Sequence, residues 1–368
     1  MKKRIAALLA ALMMLLPLAS CAAGEVPAVT VGKTVVTAPM YHYFASSYKA
    51  IFSYTYSDYA DKQSFWDREM EDGTTVRDYL DALVLQYVKR TAAAADLCDA
   101  LGLRLSDEKI KSFDKKLDDL ADIYADGSRN AFNSLLAAYG VNRSILRDIY
   151  IMEAKVELLE NALFAAGGAL EITNDVREQY YREHYTRVRL ILIGDTYRYK
   201  TDEDGHFVTD STGHYVTETL SDAEKAEKQA KIAALDERIA AGEDFAALEQ
   251  EYSEAALFYG EDGVYPNGYY LTTGTSFVSE VTDLAGTLEE GAVGKCSTDY
   301  GTFFLKRLPL DAGAYAKAEN ADFFTGFDDA VKEDAYIGYL AATVASAVAD
   351  ADVIAPFSLP YVTPNFRF

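Results

Sequence analysis

A mainly helical α+β fold is predicted, on three observations. Apolar residues recur at helical spacing through the first half of the chain and again over residues 323–348. Several of these segments open on Ser, Thr or Pro and close at Gly, as helices do. Around them lie short runs of strand character, residues 29–37 and 188–193 among them. At 368 residues, half of them apolar, the chain can bury two or three cores.

The N-terminal segment stands apart from the fold. Lys2, Lys3 and Arg4 form a basic start, and residues 5–18 are an apolar run too short to stay as a spanning helix. Leu18-Ala19-Ser20-Cys21 then resembles a bacterial lipobox. That resemblance implies removal of residues 1–20 and a diacylglyceryl thioether on Cys21, anchoring the chain outside the cytoplasm. Residues 29–37 alternate as a hairpin about Gly32-Lys33. Pro39 suits a first helical turn, with Met40, Phe44, Tyr48 and Ile51 on one face. A second helix is expected from Val76 to about Leu101, with Tyr79, Leu83, Tyr87 and Val88 at helical spacing and Gly102 at its end. Ser106 caps a third, through Ile110, Phe113, Leu117 and Leu120. Residues 130–139 and 144–164 make two more, and Thr173-Asn174-Asp175 opens a last one toward His184.

A strand over 188–193 ends near Gly194. Asp204-Gly205-His206-Phe207-Val208-Thr209 is then echoed by Thr212-Gly213-His214-Tyr215-Val216-Thr217. This predicts an exposed two-stranded arm over 195–220. His206 and His214 with Asp202, Asp204 and Asp210 meet no fixed ligand spacing, so no metal is expected. Ser221-Asp222-Ala223-Glu224 is a capping box that opens a long helix ending at Gly242. Residues 312–320 read as a linker, and residues 323–348 as an amphipathic helix through Phe327, Val331, Tyr339, Leu340 and Val344. The tail from Pro356 reads as irregular.

The formal charge is −23, and the basic residues of the leader leave with it. Such a surface argues against nucleic acid and anionic lipid and favours basic or neutral partners. The 27 tyrosines supply either core packing or aromatic walls. Cys98 and Cys296 could pair in an oxidising compartment, but they fall in different expected domains and are read as two buried free thiols. Gly-x-Ser-x-Gly, Walker and Rossmann patterns are absent. No cofactor is expected.

One series of motifs is more specific. It comprises Val188-Arg189-Leu190-Ile191-Leu192-Ile193, Gly242-Glu243-Asp244-Phe245-Ala246-Ala247-Leu248, Glu251-Tyr252-Ser253, Gly268-Tyr269-Tyr270, Leu288-Glu289-Glu290-Gly291-Ala292-Val293, and Thr298-Asp299-Tyr300-Gly301-Thr302-Phe303-Phe304-Leu305-Lys306. In this order they resemble the parvulin family of peptidyl-prolyl isomerases. With the lipobox and the helical first half, the whole chain resembles extracytoplasmic foldases of the PrsA and SurA type. The resemblance implies a helical chaperone domain over 21–184, completed by a linker and return over 311–368. A parvulin-like domain, a small antiparallel sheet flanked by helices, is inserted at 185–310. The opening strand is expected to pair with the C-terminal region, at Asp352-Val353-Ile354-Ala355. The implied partners are unfolded or extended polypeptides and, through Cys21, the membrane. No nucleic acid is implied, and a homodimer is compatible.

Prolyl rotation crosses an amide barrier of ~18–20 kcal/mol. Family sites join an apolar cup to a polar cluster of two His and a Cys or Asp. Carried over residue by residue, the two His positions are Leu190 and Phe303, and the Cys or Asp position is Ala255. The cup positions are Phe277 and Val281, flanked by Tyr269 and Tyr270. All three polar positions are apolar here. The resemblance therefore implies an apolar grip with weak or lost isomerase activity, and no catalytic residue is assigned. Three other readings remain: a decayed domain in which Leu190 and Phe303 are plain core, an isomerase using Thr298, Asp299 or Tyr300, and a non-enzymatic surface lipoprotein such as an adhesin.

Overall fold

The computed structural model describes residues 26–55, 62–203, 206–259, 265, 267–272 and 277–368. The leader and Cys21 lie outside the described residues, as do Asp204 and Gly205. The chain divides into two compact units, Met1–Glu171 with Lys332–Phe368, and Ile172–Val331. The division falls before residue 184 and after residue 310. The physical reason is an aromatic cluster of the second unit, in which Tyr181, Tyr185, Tyr270, Phe324 and Phe327 are all buried.

In the first unit, β1 (Pro27–Val31) and β2 (Thr34–Thr37) form the expected antiparallel hairpin. Its turn is fastened by Asp96, whose Oδ1 accepts from the Lys33 N–H at 2.7 Å. The third strand of this sheet is Val348–Ala349, which pairs with β1 through Val29 and Thr30. The expected partner, residues 352–355, is instead helical. Asp350 caps an Ala351–Ile354 turn by accepting from the N–H groups of Asp352 and Val353. A strand and a one-turn helix are not separable by periodicity over four residues; the cap decides.

Three long helices of this unit open on a side-chain cap, of which the sequence predicts Ser106. Thr75 caps Val76–Ala100, Ser106 caps Asp107–Ala125, and Asn142 caps Arg143–Phe164. Their buried faces are less well predicted. Tyr79 and Leu83 are 45% and 40% exposed, while Leu80, Val84 and Val88 are buried. Ile51, at 57% exposure, also leaves the buried face of the Ala38–Thr55 helix. The tail is not loose. Lys49 Nζ donates to the carbonyls of Pro360 and Val362 at 3.0 and 2.7 Å, and Leu359 and Val362 are buried.

The second unit begins with the Asn174–His184 helix, capped by Thr173 as expected. β3 (Tyr185–Ile193) follows, starting three residues before Val188. The arm comes next, with β4 (Tyr197–Tyr199) paired to β5 (Thr217–Thr219). The predicted capping box is present: Ser221 Oγ accepts from the Glu224 N–H, and a Glu224 carboxylate oxygen accepts from the Ser221 N–H at 2.8 Å. β6 (Tyr269–Thr272), β7 (Val293–Thr298) and β8 (Gly301–Leu308) complete an antiparallel sheet ordered β6-β3-β8-β7. Residues 312–320 are not a bare linker. Most of them lie in 3-10 turns, with Ala314 and Asn320 buried and bonded through Asn320 Nδ2 at 3.1 Å. The amphipathic helix spans Phe327–Ala345, starting four residues after Phe323.

Candidate functional site

The period of two along a strand sorts the sheet's residues. Val188, Leu190 and Leu192 of β3 share a face with Phe303 and Leu305 of β8. Ile191, Ile193 and Phe304 take the other face, under the Asp222–Ala240 and Phe245–Tyr252 helices. The register places Leu192 opposite Phe303 and Leu190 opposite Leu305.

Ala255 reaches the first face because the end of the Phe245–Tyr252 helix docks onto β3. The Glu254 N–H donates to the Leu192 carbonyl at 2.7 Å, and Ser253 Oγ accepts from the N–H groups of Leu192 and Ala255. The conspicuous Tyr-Ser pair of the motif is thus a docking device. The Ser279–Thr287 helix closes the same face with Val281 and Ala285.

The structure therefore brings Leu190, Ala255, Phe303, Val281 and Tyr269 into one cluster, each 2% exposed or less, with Phe277 packed against it. None of the described cavities is lined by these residues. Tyr270, expected beside Tyr269, points the other way, into the cluster with Tyr181 and Phe324. Adjacent strand residues cannot share a face.

Thr298 and Asp299 serve the β7–β8 turn. Thr298 Oγ1 donates to the Gly301 carbonyl and accepts from the Tyr300 N–H, both at 3.1 Å, while the Asp299 carbonyl accepts from Thr196 Oγ1 at 2.6 Å. Gly301 has φ +141°, and a Cβ there would stand 2.2 Å from the Ile193 carbonyl oxygen. The Thr-Asp-x-Gly motif is accounted for by this backbone approach.

Among the cluster residues that the sequence did not place at the site is one thiol. Cys296 lies opposite Phe303 and packs against the same face, half-buried rather than buried. Counting back across the Thr298–Gly301 pair of the hairpin would have found it. Burial, and then the charge of Glu280, push its thiol up to about 11. Burial likewise raises the Tyr269 phenol to about 12. Both are neutral near pH 7, so neither offers a base or a thiolate there. Among the described residues no group of His, Cys, Asp and Glu could hold a metal ion.

The site is thus an apolar sheet face closed by one helix, within residues 172–331. Solved structures similar to this chain include PrsA proteins. That from Bacillus subtilis shares 16% identity, with 78% of this chain and 90% of that chain covered and a TM-score of 0.23. The peptidylprolyl isomerase PrsA from Bacillus cereus shares 19%, with the same coverages and a TM-score of 0.29. The foldase protein PrsA from Streptococcus pneumoniae shares 13%, covering 80% of this chain and 100% of that one, with a TM-score of 0.23. No family model matches this chain, and no curated protein does. No helix among the described residues is long and apolar enough to cross a membrane.

Proposed function

We propose that this chain is a membrane-anchored foldase or holdase acting outside the cytoplasm. Its parvulin-like unit binds extended polypeptide and has weak or no prolyl isomerase activity. One observation supports the weak or absent isomerase activity above the others. Leu190, Ala255 and Phe303, which stand where the family keeps its polar cluster, converge in a single buried apolar cluster. Each lost hydrogen bond is worth on the order of 1 kcal/mol net, so losing the cluster slows rotation by roughly ten- to a thousandfold. The anchor follows from the lipobox at Cys21.

Two assays on the mature chain test the reading. In a proline-peptide isomerisation assay the expected rate is close to the uncatalysed one. In an aggregation assay with an unfolded secreted protein, suppression is expected at near-stoichiometric amounts. Isomerisation at full parvulin rates, abolished by Phe277→Ala, would overturn the loss of activity. Failure to suppress aggregation would favour a surface lipoprotein without chaperone function. For the anchor, Cys21→Ala should release the protein from the membrane fraction.

A further inference from the structure

A cavity of about 380 Å³ beneath the arm has a chemistry of its own. Tyr199, Phe207 and Tyr215 recur every eight residues, a period set by the echoed Gly-His-aromatic motif. Backbone bonds from Val208 to Lys200 and from Val216 to Val208 lay the three segments side by side. The three rings consequently pack 5.3–5.4 Å apart, centroid to centroid. Phe258 supplies the facing wall, 5.8 Å from Tyr197 and 5.7 Å from Tyr199. It can do so because residue 194 is Gly: a Cβ there would lie 2.5 Å from the Phe258 ring.

The rim is charged, but most of its charge is already paired. Arg198 binds Glu218 and Glu224, and Lys228 and Lys231 both hold Glu254 at 2.7 Å. Of the charged side chains lining the cavity, the exposed Glu227 carboxylate alone makes no hydrogen bond or ion pair among the described residues. What the cavity leaves open is therefore aromatic surface and one carboxylate, in a chain of formal charge −23. Ring faces attract cations through their quadrupole, and a planar guanidinium also stacks on them. The acidic surface enriches such groups nearby.

We propose that this cavity takes a basic side chain of an extended polypeptide, arginine in preference to lysine. The guanidinium lies against Tyr197, Tyr199, Phe207 and Phe258 and is drawn toward Glu227. Phe258 also packs against the buried Leu190–Phe303 cluster, which holds this wall of the cavity in place. The polypeptide nature of the ligand rests on the foldase reading; its positive charge does not.

Calorimetric titration of the mature chain tests this, using unstructured Gly/Ser peptides with one central Arg, Lys, Leu or citrulline, the neutral isostere of Arg. The Arg peptide should bind about tenfold more tightly than the citrulline peptide. Glu227→Gln, an exposed change, should weaken Arg binding about fivefold. Phe207→Leu, which keeps apolar bulk, should weaken it by a similar factor with an unchanged melting curve. Equal affinity for Arg and citrulline, or no binding of the Arg peptide, overturns the proposal and leaves the foldase reading intact. Arg selectivity in a chain that fails to suppress aggregation would overturn the foldase reading and leave the cavity assignment standing.

Discussion

At the scale of single residues, the positions named from the motif order do meet in space, and what they meet as is a packed core. Phe303 is fully buried, so Phe303→Ala should cost about 3–5 kcal/mol, read as a fall in the chemical-denaturation midpoint at unchanged m-value. Cys296 gives a pH prediction. Its folded value, about 11, lies above the ordinary value of 9.0. The folded state therefore holds the thiol proton more tightly than the unfolded chain does. That contribution to stability is fully present below the ordinary value and is lost as the pH rises from there toward about 11. Alkylation at pH 8 should be slow until denaturant is added, and fast labelling of the folded protein would contradict the burial described. Gly301→Ala places a Cβ against the Ile193 carbonyl in a backbone region that L-residues avoid, and should cost more than about 2 kcal/mol in thermal unfolding. The identity of that glycine was legible from Thr298-Asp299-Tyr300-Gly301. The approach that demands it involves β3, about a hundred residues earlier in the chain, and is a tertiary fact.

At the scale of elements, starts were easier to read than faces. A cap is a local event, a side-chain oxygen meeting an N–H two or three residues on, and Ser106, Thr173 and Ser221 all cap as their sequence context requires. Which stripe of a long helix is buried depends on what lies beside it. In Val76–Ala100, where Ala and Leu leave several stripes apolar, neighbours choose Leu80, Val84 and Val88 over Tyr79 and Leu83. The tail shows the same limit. Three prolines made residues 356–368 look irregular, yet Lys49 fastens two of their carbonyls and Asp81 accepts from the Leu359 N–H at 2.9 Å. Lys49→Met should raise amide exchange across 359–365 and lower stability by about 2 kcal/mol. Unchanged protection would mean that apolar burial of Leu359 and Val362 alone holds the tail.

At the scale of the whole molecule, the two units have separate cores, and the thiols follow that division. Cys98 lies in the first unit and Cys296 in the second, and both are free. Mass spectrometry of the unreduced protein should show both as thiols, with no loop-closing bridge. Residues 172–331, with their own sheet and buried clusters, should melt cooperatively when produced alone. A fragment lacking a cooperative transition would show that its core depends on the rest of the chain. Sequence alone determined the motif order, the helix caps, the capping box, the turn glycines and the apolar character of Leu190, Ala255 and Phe303, because each is written in residues near one another along the chain. Tertiary structure alone decided that those three side chains close into one cluster, that Tyr270 leaves it, that Val348–Ala349 rather than residues 352–355 completes the first sheet, and that the arm's rings meet Phe258. Register and packing are set by partners distant in sequence, and no local pattern contains them.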